Sequence, residues 1–80
     1  MNPPYEPVSC VFHEQLEMAA RRRRPVGLRL KSGETLHGVI EDVWTEAGAE
    51  YLRLADQQGR ASTWRLDALD ALWEDDDRGA

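Results

Sequence analysis

At Pro25 the apolar periodicity of this chain changes from helical to two-residue, and that switch limits the folds open to it. Before the proline, Phe12, Leu16, Ala19 and, one residue off, Ala20 recur at helical spacing and form a single apolar stripe. His13, Glu14, Glu17 and Arg21 are left on the other faces. After it, Val26, Leu28 and Leu30 alternate with Gly27, Arg29 and Lys31, the period of a half-buried strand. Proline has no N–H to donate and crowds the turn before it, so the helix is expected to stop near Arg23 or Arg24.

The helix has a definite start as well. Met1 to Val8 holds three of the four prolines and reads as an extended lead, after which Ser9 can cap the first turn with its hydroxyl. Downstream of Pro25, Ser32-Gly33 turns the first strand into a long second one, Thr35 to Thr45. Within that strand the apolar phase slips from Leu36 and Ile40 to Val43, across Gly38 and the Glu41-Asp42 pair, which predicts a bend or bulge. Glu46-Ala47-Gly48 and Gln57-Gln58-Gly59 turn the chain into strands Glu50–Ala55 and Ala61–Leu66. Asp67-Ala68-Leu69 reads as a helical turn before a last strand, Asp70–Trp73. The resulting class is mainly β with one N-terminal helix, a small Sm-like or SH3-like bent barrel of five strands. Residues 1–8 form the lead, 9–73 one domain (helix 9–24, strands 26–73), and 74–80 an acidic, disordered tail.

With 80 residues the chain can bury only about 60–65% of its unfolded surface, which leaves no room for an enzyme with a separate lid. It opens on no basic segment followed by an apolar run and contains nothing near roughly 18 consecutive apolar residues, so a cytoplasmic location is expected. The single cysteine, Cys10, has no disulfide partner and no metal-ligand spacing to His13 or His37; it reads as a small buried thiol at the helix start. Neither histidine falls in an obvious catalytic motif. No catalytic residue, metal or cofactor is therefore expected.

The net charge of −5 is unevenly distributed. Residues 1–20 carry Glu6, Glu14 and Glu17 without a Lys or Arg, whereas residues 21–31 carry Arg21, Arg22, Arg23, Arg24, Arg29 and Lys31 without an acid. From Ser32 onward, twelve acids face four arginines. An acidic protein with one basic belt makes a poor general nucleic-acid binder, because such affinity grows with the number of phosphates neutralised. It is better suited to binding a protein that itself holds nucleic acid.

Tyr5-Glu6-Pro7-Val8-Ser9-Cys10, followed by an acidic helix containing Leu16-Glu17-Met18-Ala19, resembles the opening of the Rof family of Rho-binding antiterminators. Gly33-Glu34, Ala49-Glu50-Tyr51-Leu52 and Arg65-Leu66-Asp67 continue the resemblance in order, so that it covers roughly residues 5 to 73. The chain departs from the family where His13 and Glu14 replace a frequent Tyr-Asp pair, and in its run of four arginines. The resemblance implies an Sm-like fold and a partner, the RNA-binding domain of transcription termination factor Rho, engaged at its primary RNA-binding site; the chain itself is expected to be a monomer. Carried over, Glu14 and Glu17 would meet Rho's basic surface, with His13 as their neighbour and Glu6 and Tyr5 extending the contact. Tyr5 packing on the barrel is the competing reading of that residue.

Arg21 and Arg22 are candidates for a secondary contact, although cations at a helix C-terminus are also favoured by the macrodipole and can lie along the barrel. The alternative function is an Sm-like RNA-binding module using Arg21–Arg24, with Trp44, Trp64 or Trp73 stacking on bases. Packing in or beside a small core is the ordinary fate of such tryptophans.

Overall fold

A computed structural model describes residues 3–75. The helix α1 (Cys10–Arg22) begins where Ser9 accepts a hydrogen bond from the Phe12 amide at 3.1 Å, as its hydroxyl suggested. It ends two residues short of Arg24. Arg23 takes the left-handed conformation (φ 53°) and returns its amide to the Ala19 carbonyl at 3.0 Å, closing the last turn just ahead of Pro25.

Five strands follow: β1 (Val26–Leu30), β2 (Thr35–Glu46), β3 (Ala49–Ala55), β4 (Ala61–Arg65) and β5 (Leu69–Glu74), with a 3-10 turn over Leu66–Ala68. They form one antiparallel sheet in the order β4-β3-β2-β1-β5, so the last strand returns to pair with the first. β5 includes Glu74, opposite Val26, so the strand runs one residue into the segment expected to be tail; residues 76–80 lie outside the described residues.

The long strand β2 carries the bend. Its partner register runs Ile40 to Leu54 and then Asp42 to Arg53, leaving Glu41 as the extra residue of a bulge. The bulge moves the core-facing set from even to odd positions, so that Ile40 and Val43 both reach the same interior. Gly38 allows the strand to pass close to β3, because a Cβ at that position would collide with the carbonyl oxygen of Ala55. A second irregularity, at Asp70 between β1 and β5, had no visible sequence signal.

The core is aliphatic: Leu16 from α1 meets Val26, Leu28, Leu30, Ile40, Leu52, Leu54, Leu66 and Leu69. Leu16 is fully buried and α1 lies against β2, while Phe12, Ala19 and Ala20 pack at the edge of the same cluster. Trp64 is partly buried with them. Trp44 instead stacks on Tyr51 across the β2–β3 pairing, with centroids 5.7 Å apart, and Trp73 lies over Gly27 at the surface. Cys10 is exposed rather than buried. It stands two residues before Phe12, a separation that places side chains on different faces of a helix.

Candidate partner-binding face

Two sides of α1 are left free by the burial of Leu16. Glu14 is exposed on the outer side, and Glu17, one turn on, keeps 45% of its side chain in solvent. The Glu17–Arg21 ion pair that the spacing favours does not form among the described residues; the Glu17 carboxylate lies 3.7 Å from His13 Nδ1 instead. Nε2 of the same imidazole lies 3.0 Å from Glu50 Oε2, which joins the helix to β3. His13 thus lies between the Glu17 and Glu50 carboxylates, and Glu14 stands one turn before Glu17 on the exposed side of the helix.

The N-terminal lead is fastened to the same side of the barrel. Tyr5 donates its hydroxyl hydrogen to Glu50 Oε1 at 2.8 Å, and the Arg65 guanidinium lies over its ring at 5.4 Å. Burial, reinforced by the Glu50 carboxylate, pushes the Tyr5 phenol well above the ordinary tyrosine range. Arg65 also donates to the carbonyls of Pro3 and Pro4, at 3.0 and 3.3 Å, accepting partners that proline can offer although it has no N–H of its own. Asp67 completes the clamp. It receives the Arg65 guanidinium and the Glu6 amide, the latter at 3.1 Å, and its bond to Arg65 holds its carboxyl below the usual carboxylate range.

Of the residues singled out from the sequence, Glu14, Glu17 and His13 share the helix surface. Tyr5 packs against the barrel, and Glu6 is tied there through its backbone while its side chain stays exposed. Glu50, Arg65 and Asp67 were not singled out, although Ala49-Glu50-Tyr51-Leu52 and Arg65-Leu66-Asp67 were among the segments that carried the resemblance. Arg21, Arg22, Arg23 and Arg24 are all exposed, and Arg22 lies 3.6 Å from Glu74 of β5. Among the described residues no three His, Cys, Asp or Glu side chains come together in a way that would hold a metal ion. No helix among them is long and apolar enough to cross a membrane.

Comparison with known proteins agrees with this architecture. The family described as "Modulator of Rho-dependent transcription termination (ROF)" matches residues 7–78. The protein named rof of Escherichia coli K12 is 32% identical over 69 residues, which span 86% of this chain and 81% of that protein; its Shigella flexneri counterpart gives the same values. Among solved structures, an Hfq protein from Anabaena sp. superposes with a TM-score of 0.60 at 23% identity, covering 82% of this chain and 98% of that one. A Xanthomonas campestris protein described as adopting a novel variant of the Sm-like motif gives 0.55 at 15% identity, covering 91% and 98%. The bent five-stranded fold is therefore Sm-like.

Proposed function

Because the chain belongs to the Rof family of modulators of Rho-dependent transcription termination, we propose that it acts by binding Rho directly, as a monomer in the cytoplasm. One chain covers Rho's primary RNA-binding site through the acidic face of α1, prevents RNA from loading and so antagonises termination, without chemistry of its own.

The observation that carries this reading is the disposition of Glu14 and Glu17 on a helix anchored by a fully buried Leu16. A surface that binds RNA holds phosphates with Arg and Lys, and carboxylates on a fixed support offer the same cations charge-assisted hydrogen bonds. A net charge of −5 steers the chain toward a basic surface. Tyr5, His13 and Glu6 then act mainly by positioning: they fix the lead and the helix around Glu50 and Asp67.

The test is charge reversal. A Glu14→Lys, Glu17→Lys double variant removes no core contact and should stay folded by circular dichroism, yet bind purified Rho at least about tenfold more weakly. Unchanged affinity in the folded variant contradicts the reading. The alternative, an RNA-binding module, is favoured by the exposure of Arg21–Arg24. It requires submicromolar affinity of the isolated chain for single-stranded RNA, abolished by Arg22→Glu with Arg23→Glu.

A further inference from the structure

Among the described residues three large hydrophobic side chains stand exposed, and all three border one groove. Val11 (65% exposed), Met18 (43%) and Trp73 (38%) flank a cleft of about 380 Å³ between α1 and the β1–β5 pair. On the helix, Val11, Gln15 and Met18 follow one another at steps of four and three residues, which puts them in a single stripe. That stripe lies on the flank opposite His13 and is not part of the core. Glu14 belongs to both surfaces: it lies on the acidic face and also lines the groove. Apolar and acidic stripes are therefore adjacent on one helix. Neither Val11 nor Met18 belongs to the core cluster.

We propose that this groove is the apolar half of the Rho-binding surface, and that its occupant is one or more aromatic side chains of Rho's RNA-binding site. The inference rests on the functional reading above and specifies the chemistry of the partner. Sites for single-stranded nucleic acid commonly pair cations, which hold phosphates, with aromatic side chains, on which bases stack. A protein that covers such a site must satisfy both. Carboxylates meet the cations, but an aromatic ring left against carboxylates would lose its stacking partner and gain nothing. The groove supplies the missing element next to Glu14, with the Trp73 indole and the Met18 thioether as partners suited to an aromatic ring. Charge also argues against a purely greasy occupant, since Glu14 and Arg24 lie at its margins and the Arg22–Glu74 pair spans it.

Val11→Ser with Met18→Ser tests the proposal, because both side chains are exposed and their loss leaves the core intact. Affinity for purified Rho, measured with the full chain over a range of salt concentrations, should fall at least about tenfold with an unchanged salt dependence. Glu14→Lys with Glu17→Lys should instead change the salt dependence as well as the affinity. If the serine variant binds like the wild type while the lysine variant does not, the groove plays no part and the inference is overturned, with the acidic reading intact. If the lysine variant binds normally and the serine variant does not, the groove stands and the acidic reading fails. Concentration-dependent dimerisation of the chain alone, abolished by Met18→Ser in sedimentation, would assign the groove to a second copy and overturn the proposal.

Discussion

Tyr5 donates a 2.8 Å hydrogen bond to Glu50, across 45 positions of sequence, and this contact fastens the N-terminal lead beside the helix. The second oxygen of the same carboxylate lies 3.0 Å from His13, so one side chain of β3 holds both the lead and α1. Glu50→Ala leaves a part-buried phenol without an acceptor and should cost about 1–2 kcal/mol in chemical denaturation. Glu50→Gln keeps an oxygen for Tyr5 and should cost clearly less. Equal losses in the two variants would show that the hydrogen bond contributes nothing.

The helix is docked through Leu16. Both Leu16 and Leu66 are 0% exposed, and truncating either to alanine should destabilise the domain by about 2–5 kcal/mol. Arg60→Ala, at an exposed site where only the backbone is hydrogen-bonded, should stay within about 0.5 kcal/mol of wild type. Denaturant midpoints for the three variants decide it: a Leu16→Ala protein as stable as Arg60→Ala would mean that α1 is not fixed to the barrel.

The β2–β3 hairpin contains a correctable strain. Its two connecting residues, Ala47 (φ 52°) and Gly48 (φ 81°), both adopt positive φ, as tight primed turns require, but alanine pays a steric cost there that asparagine largely avoids. Ala47→Asn should raise stability by about 0.5–1 kcal/mol, read as a higher thermal midpoint. A lower midpoint would contradict the turn assignment.

Docking of the lead should respond to pH at Asp67. Its folded carboxyl is held down by Arg65, so the contribution is complete above the ordinary aspartate value of about 4 and is lost as pH falls through the lower folded value. Tyr5 works in the opposite sense: its raised phenol contributes in full below about pH 10 and is lost as pH rises further. The Glu6 amide, which donates to Asp67, reports the acid limb by NMR. Its resonance should move with a midpoint below about pH 4, and that titration should vanish in Asp67→Asn. A midpoint at or above pH 4 contradicts the assignment.

Much of this fold was legible because its signals are local. The Ser9 cap, the stop ahead of Pro25 and the phase slip at Glu41-Asp42 each reside within a few residues, and each appears in the structure. The clamp on the lead was not legible, since Arg65 and Asp67 lie about sixty positions from the residues they hold and nothing in their own neighbourhood marks them. Cys10 was misplaced because its small size suggested burial, whereas its angle on the helix, away from Phe12 and Leu16, puts it in solvent. The apolar groove was not legible because Val11 and Met18 fall outside the helical stripe, and only the strands show which side of α1 they cover.

The central claim is that this chain and RNA compete for one surface of Rho. The most direct measurement is the affinity of purified Rho for labelled single-stranded RNA, by fluorescence anisotropy at fixed salt, over rising concentrations of the full chain. Competition predicts that the apparent dissociation constant for RNA increases in proportion to chain concentration without reaching a plateau, and that Glu14→Lys with Glu17→Lys removes the effect. An RNA affinity that is unchanged while the chain is demonstrably bound to Rho, or that levels off at saturation, would contradict the claim.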